Sequence, residues 1–214
     1  MRLLKYISIC IFSSQFIFAS YGDGSDHNSS GLTLNDTIYI PSGTGYTFIG
    51  DVGEDGSIDG GHGVNISGQV IIDDPTNQIF FQGGAGAVAV NETRAPNGGS
   101  GIFINANEFN ANVILSNITA AAGSGGVNFT FDGYNFGQQG NGIEWSIGSS
   151  NTAFLSIFGS TISNGLSIAA SQESYSDFSY TNTSIFGGIE KTGSGILKIN
   201  NRDENSLNDL DIKD

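Results

Sequence analysis

Short runs of β-branched and aromatic residues, alternating apolar with polar, recur along the chain from about residue 37 onward, and helical periodicity is absent from them. The runs at 37–40, 46–49, 63–66, 69–72, 78–81, 87–90, 101–104, 112–115, 127–131, 143–147, 153–158, 165–168, 177–180, 183–186 and 195–199 predict strands. In Ile143-Glu144-Trp145-Ser146-Ile147 the period of two would send the apolar side chains to one face and the polar ones to the other. Clusters of Gly, Asn and Ser separate the runs, at 83–86, 96–99, 123–126 and 148–151. Gly and Asn reach positive φ at little cost, so these clusters predict sharp corners. The prolines fall in inferred loops and remove no ladder donor from a strand.

Spacing selects among all-β architectures. Gly101-Ile102 opens a segment with a second apolar run at Val113-Ile114-Leu115, Gly142-Ile143 opens another with Phe154-Leu155 following, and Ile185 is followed by Ile196 at a similar interval. The first two openings lie 41 positions apart, Ile102 to Ile143, which two coils of roughly 20 residues would give. The expected fold is therefore a right-handed parallel β-helix, with a β-sandwich of hairpins as the competing architecture. In such a coil, Asn at the corners can ladder with Asn above and below and satisfy backbone groups that a tight bend leaves open.

The start of the chain reads differently. Met1, Arg2 and Lys5 precede an apolar stretch through Phe18 that ends in Ala19-Ser20, the order of a secretory signal. The apolar part is shorter than the roughly 20 residues a bilayer requires and is interrupted by Ser13, Ser14 and Gln15, so cleavage is preferred to anchoring. This divides the chain into a signal peptide at 1–20, a disordered linker at 21–36, a β-helix domain at 37–201 and an acidic tail at 202–214. The single cysteine, Cys10, lies in the signal, so neither a disulfide nor a thiolate metal site is expected in the exported part.

Charge narrows the partners. The net charge is −14, and between Tyr21 and Glu190 the only Lys or Arg is Arg94. A surface with so few cations cannot release counterions from a nucleic-acid backbone, so DNA and RNA are excluded as expected partners, and anionic lipid and acidic polysaccharide are disfavoured for the same reason. Solubility is the simplest reading of the acidity.

Near the C-terminus, Lys191-Thr192-Gly193-Ser194-Gly195 leads into Ile196-Leu197-Lys198-Ile199 and then Asn200-Asn201. This resembles the passenger-associated repeat of bacterial autotransporters, in which a turn with two positive-φ positions restarts a coil. The segments Phe109-Asn110-Ala111-Asn112 and the run from Gly126 to Gly133 are similar to repeats of vacuolating-cytotoxin-like autotransporters. The resemblance departs from the family after Arg202, where a charged segment replaces the second strand of the motif, and only one copy is present. It implies a passenger segment at the outer-membrane surface of a Gram-negative bacterium, or secreted from it, and truncated within the tail. An outer-membrane β-barrel translocator would be its partner if the chain is a fragment.

Several constellations offer chemistry. The stretch 51–61 places Asp51, Asp55 and Asp59 among glycines, a spacing that could fold carboxylates around Ca²⁺; a solvated acidic turn is the simpler reading, and no other cofactor is expected. A Ser-His-Asp assembly would have to use His62 with an unmarked serine, since His27 lies in the linker and Gly123-Ser124-Gly125 is no nucleophile elbow. Glycoside hydrolysis would draw on Asp73, Asp74 and Glu144, although Asp73-Asp74-Pro75 reads more simply as a turn. The aromatics Phe109, Phe129, Phe131, Tyr134, Phe136, Trp145, Phe154 and Phe158 would mostly stack in the coil core, with some left to form an exposed stripe for a host surface protein or glycan. The leading expectation is a non-enzymatic adhesin or structural stalk with no catalytic residue. The alternatives are a secreted carbohydrate-active β-helix enzyme and a fragment of a toxin-like passenger.

Overall fold

The computed structural model describes residues 33–34, 39–40, 47–53, 59–73, 79–201 and 210–212. The described chain is all-β and winds as a parallel β-helix. Its first coil contributes β1 (Thr33–Leu34), β2 (Tyr39–Ile40) and β3 (Thr47–Ile49). The second contributes β4 (Val64–Ser67), β5 (Gln69–Asp73) and β6 (Ile79–Gln82), and is followed by β7 (Val88–Val90). The third contributes β8 (Ile102–Ala106), β9 (Ala111–Ser116) and β10 (Ile118–Ala121), and is followed by β11 (Val127–Thr130) and β12 (Gly133–Phe136). The fourth holds β13 (Ile143–Ile147), β14 (Thr152–Phe158) and β15 (Thr161–Ile162), and the fifth β16 (Leu166–Ala170), β17 (Tyr175–Thr181) and β18 (Ser184–Ile185). The sixth has β19 (Ile189–Thr192) and β20 (Ile196–Asn201), and β21 (Leu210–Ile212) opens a further turn.

Like strands stack into three parallel sheets. Sheet 1 runs β1-β4-β8-β13-β16-β19-β21, sheet 2 runs β2-β5-β9-β14-β17-β20, and sheet 3 runs β3-β6-β10-β15-β18. Inward side chains align in columns because the register is exact across coils: Val64, Ile102, Ile143, Leu166 and Ile189 form one, and Ile66, Ile104, Trp145, Ile168 and Lys191 the next. All of these are buried. Each buried aliphatic side chain contributes on the order of 1.5–3 kcal/mol, and a partner above and below each one leaves no apolar face uncovered within the stack. Lys191 is the polar member of its column, and its Nζ donates to the Gly193 carbonyl.

Corners follow two rules. Between sheets 2 and 3, Asn117, Gly159 and Asn182 stack in register with φ of 54°, 55° and 48°. Asn tolerates this left-handed conformation better than other side chains do. Beside it the buried Ser160 hydroxyl donates to Phe158 O at 2.7 Å and accepts from Ile118 N at 3.1 Å. Between sheets 1 and 2, Asn151 Nδ2 donates to Ala106 O at 2.8 Å and Asn107 O at 2.9 Å, and Thr152 N donates to Asn110 Oδ1 at 2.8 Å. Corner asparagines thus satisfy backbone groups of neighbouring coils, as expected, but without an unbroken Asn ladder, since Gly159 stands between Asn117 and Asn182.

Three readings of the sequence are corrected. Ile102 does pair with Ile143, but the 41 positions between them make one coil, whereas Leu166 follows Ile143 by 23 and Ile189 follows Leu166 by 23. The extra length in the early coils leaves the solenoid sideways and returns. Ile185 and Ile196 are not equivalent either: Ile185 is buried on β18 of sheet 3, and Ile196 is exposed at the start of β20 in sheet 2. Of the two glycines in the Lys191-to-Gly195 turn, only Gly193 has positive φ, at 80°; Gly195 is needed because a Cβ there would lie 2.6 Å from Ser171 O.

The strands also reach beyond the expected boundaries. β1 lies in the stretch expected to be linker and pairs with β4, and β21 lies in the expected tail and pairs with β19. The expected signal peptide and most of the linker and tail lie outside the described residues.

Candidate functional site

The sideways excursions leave from sheet 3 and return to sheet 1. Outgoing arms are 50–53, 83–87 and 122–126; returning arms are 59–63, 95–101 and 137–142. Within an arm, every third N–H points along the stack: Gly83 N donates to Ala121 O and Gly86 N to Ser124 O, both at 2.9 Å, while Gly98 N donates to Gln138 O at 2.9 Å and Gly101 N to Asn141 O at 3.0 Å. A threefold repeat of this kind belongs to the extended polyproline II helix, which has no internal hydrogen bonds and must find partners outside itself. The partners between outgoing and returning layers form a continuous zigzag. Gly61 N donates to Asp51 O, Gly84 N to Gly61 O, Gly99 N to Gly84 O, Gly123 N to Gly99 O and Gly140 N to Gly123 O, at 2.7–3.1 Å.

Glycine is required here by proximity. A Cβ at Gly84 would lie 1.8 Å from Asp51 O, at Gly99 2.0 Å from Gly61 O, and at Gly123 1.9 Å from Gly84 O. None of these three has positive φ. The clusters at 83–86, 96–99 and 123–126 are therefore straight, laterally bonded braces and not the corners their composition suggested.

At the far end of the braces, β7, β11 and β12 form a separate three-stranded lateral sheet in which β11 pairs parallel with β7 and antiparallel with β12. The β11–β12 hairpin turns at Phe131-Asp132, and Gly133 has φ of 141°. Register puts Val88, Val127 and Phe136 in one row and Val90, Phe129 and Tyr134 in the next, all on one face. That face is open: exposures are 52% for Val88, 63% for Val90, 50% for Phe129, 67% for Tyr134 and 69% for Phe136, and Phe131 at the tip is fully exposed. Tyr134 and Phe136 meet edge to face at 5.3 Å. On the opposite face Ala89 and Asn128 are buried, and the Asn128 amide clamps the backbone of Glu92, donating to its O at 2.7 Å and accepting from its N at 3.3 Å.

At the foot of this sheet lies a shallow cavity of about 510 Å³ that includes Arg94, Asn97, Asn135 and Phe136 in its walls. Arg94 grips Asp59 with both terminal guanidinium nitrogens, Nη1 and Nη2, at 2.6 and 2.9 Å, and Asn97 N donates to the same carboxylate at 2.6 Å. The Arg94 hydrogen bond holds the Asp59 carboxyl below its ordinary range against a smaller opposing effect of burial. Of the three candidate calcium ligands, Asp59 is thus committed to Arg94, Asp51 sits across the zigzag on the outgoing arm, and Asp55 lies outside the described residues. Among the described residues no group of three His, Cys, Asp or Glu side chains converges as a metal site would require.

A second polar cluster sits where the returning arms enter sheet 1. Ser100 N donates to His62 Nδ1 at 3.1 Å, Ser100 Oγ donates to Glu144 Oε2 at 2.9 Å, and the His62 ring stacks on Phe103 at 4.7 Å. Burial holds the imidazole below its ordinary pKa, opposed by the nearby Glu144 charge. Sequence reasoning had no serine for His62, and the structure supplies one, but the connections are wrong for nucleophilic catalysis. The hydroxyl is spent on the carboxylate, and the imidazole accepts from a backbone N–H where a base must face Oγ.

Among the described residues, the hydrolysis candidates are not brought together. Asp73 ends β5 in sheet 2, Glu144 is on β13 in sheet 1, and Asp74 lies outside the described residues. The third polar surface is a groove of about 510 Å³ on the outside of sheet 2, where Asp177 accepts from Lys198 Nζ at 2.9 Å and Asn200 Nδ2 at 2.6 Å next to Phe154.

Of the eight aromatics expected mainly in the core, only Trp145 is there; Phe109, Phe129, Phe131, Tyr134, Phe136, Phe154 and Phe158 are exposed. Phe154 and Phe158 fall on the outward parity of β14, whose burial alternates, and four others belong to the lateral sheet. The overlooked signal was Asp132-Gly133 between Val127-Asn128-Phe129-Thr130-Phe131 and Tyr134-Asn135-Phe136, an alternating hairpin pattern. Comparisons with family models, with curated proteins and with solved structures gave no match.

Proposed function

We propose that this chain is an exported passenger segment, secreted or displayed on the outer surface of a Gram-negative bacterium, that works as an adhesin or structural stalk and not as an enzyme. The observation that carries this reading is the braced lateral sheet. Six arms and a zigzag of backbone bonds are devoted to holding a largely apolar surface away from the solenoid, an arrangement suited to contact and not to turnover. Of the carboxylates considered for sugar hydrolysis, Asp73 and Glu144 belong to different sheets, whereas paired acids must flank one bond at about 5–10 Å. The Lys191-to-Asn201 phrase, similar to the passenger-associated repeat, supports the export route and an outer-membrane β-barrel translocator as a partner during it. Host proteins and glycans are the expected contacts of an adhesin, and nucleic acids are not.

The test is antibody labelling and added protease on intact producing cells, followed by binding of the purified protein to host cells. Labelling and cleavage without permeabilisation, or recovery from the medium, is the expected result. A protein reached only after lysis, or one that shortens polysaccharides, overturns the reading.

A further inference from the structure

We infer that the apolar face of the lateral sheet is a self-association surface, covered by the same face of a second copy of this chain. Val88, Val90, Phe129, Phe131, Tyr134 and Phe136 leave roughly 700 Å² in water if a whole aromatic side chain offers ~200 Å². A monomer's largest apolar patch is about 300–600 Å², and a stable pairwise interface takes about 800 Å² from each partner. The five residues in register supply about 550 Å² of this, at the upper end of a monomer's patch, and Phe131 at the hairpin tip carries the total toward what one side of a dimer supplies.

Chemistry selects the occupant. The face is one side of a twisted sheet, and twisted sheets cover one another at about 10 Å with interdigitated side chains. Within the two rows the only hydrogen-bonding side-chain group is the Tyr134 hydroxyl, too little to recognise a sugar's ring of hydroxyls. The rows carry no charge, so the net −14 of each chain is not concentrated at the contact, and a charged peptide would find nothing to pair with. An identical face is self-complementary by a two-fold axis, which closes the assembly at two. With this face occupied in the pair, the contact function proposed above is that of a paired stalk, or of a paired adhesin that meets its host target through other surfaces; where the protein is displayed does not enter the inference.

The experiment is sedimentation velocity of the purified protein across about 1–100 µM, the range in which a micromolar Kd is read directly. A dimer at the upper end is expected, weakened at least tenfold in the double variant Phe129→Ser/Phe136→Ser and abolished by Phe136→Asp, which puts an unpaired carboxylate from each copy into the apolar contact. Phe154→Ser, on the outside of sheet 2, is expected to dimerise as the unaltered protein does. Circular dichroism of each variant should be unchanged, since every altered side chain is exposed. A monomer at all concentrations overturns the inference, as does a dimer indifferent to Phe136→Asp. A monomer that instead binds phosphatidylcholine vesicles or immobilised glycans through Phe129 and Phe136 also overturns it and assigns the face to that partner.

Discussion

Replacing Gly99 by alanine tests the brace directly, because ordinary expectation and the structure disagree in sign. At a position without positive φ, Gly→Ala usually stabilises by about 0.4–1 kcal/mol through the unfolded chain. Gly99 is such a position, yet its new Cβ would stand 2.0 Å from Gly61 O and 2.6 Å from Gly60 O. Both obstacles are backbone, so no side chain can swing away. Restoring an ordinary contact separates the two layers by about 1 Å or more, which takes bonds of 2.7–2.9 Å past the limit of a hydrogen bond. Three bonds meet at this point: Gly99 N to Gly84 O, Gly123 N to Gly99 O and Gly84 N to Gly61 O. At about 1 kcal/mol each, with further cost for buried groups left unpaired, the loss is about 3–5 kcal/mol before the unfolded-state gain is subtracted.

For a chain of this size, about 3 kcal/mol lowers Tm by about 6–12 °C. Circular dichroism and the fluorescence of Trp145, the only tryptophan and a fully buried one, follow the same transition from the sheets and from the core. The matched control is Gly159→Ala. There φ is 55° and nothing lies within 4 Å of the new Cβ, so the cost is only the left-handed strain, about 1–2 kcal/mol. Gly159→Asn should cost less still, because Asn117 and Asn182 already occupy the equivalent corner. A Gly99→Ala variant as stable as the unaltered protein, or less affected than Gly159→Ala, would refute the argument that crowding fixes these glycines.

Three further outcomes are expected. Because burial lowers the His62 pKa below its ordinary value, the unfolded chain takes up a proton first; stability is complete above about pH 6.5 and falls as pH drops through the folded value, and His62→Gln should flatten urea midpoints over that acid window. The Trp145 indole N–H is buried without a hydrogen-bond partner among the described residues, so Trp145→Phe should cost no more than about 1.5 kcal/mol while Trp145→Ala costs about 3–5 kcal/mol, both from denaturant titration. Arg94→Ala should lower stability by less than about 1 kcal/mol, since the pair with Asp59 is exposed, and should let the Asp59 carboxyl rise toward its ordinary pKa in an NMR titration.

The solenoid was legible because its signal is carried by side chains. Alternation in Ile143-Glu144-Trp145-Ser146-Ile147 states which residues point inward, and the 41-residue interval marked Ile102 and Ile143 as equivalent coil positions, though as members of coils two apart and not as the direct partners they are. What failed was the count of coils within that interval. A coil of apolar strands and an excursion of glycine arms occupy similar lengths of chain, and the arms carry no apolar period to tell them apart. Their structure resides in backbone hydrogen bonds between segments far apart in sequence, such as Gly60 N to Asn97 O or Gly98 N to Gln138 O. A glycine admitted for its flexible φ and a glycine admitted for its missing Cβ are the same letter.

The same ambiguity governed the site. Phe129 and Phe136 look like core residues by composition, and they become surface only because the braces carry their sheet away from the solenoid. β12 explains why the sheet ends where it does. The turn from sheet 3 to sheet 1 after β15 is closed by Asn164 and Gly165, with φ of 65° and 77°, and after β18 by Gly187 and Gly188, with φ of 95° and 80°. Neither later coil sends out an arm, so β11 has no parallel neighbour beneath it, and the chain folds β12 back antiparallel to fill that position. The hairpin therefore caps the lateral sheet, and in doing so sets Tyr134 and Phe136 beside Phe129 on the open face. The residues that end the brace are the ones that complete the surface, which is why its aromatic density is greatest at the last strand.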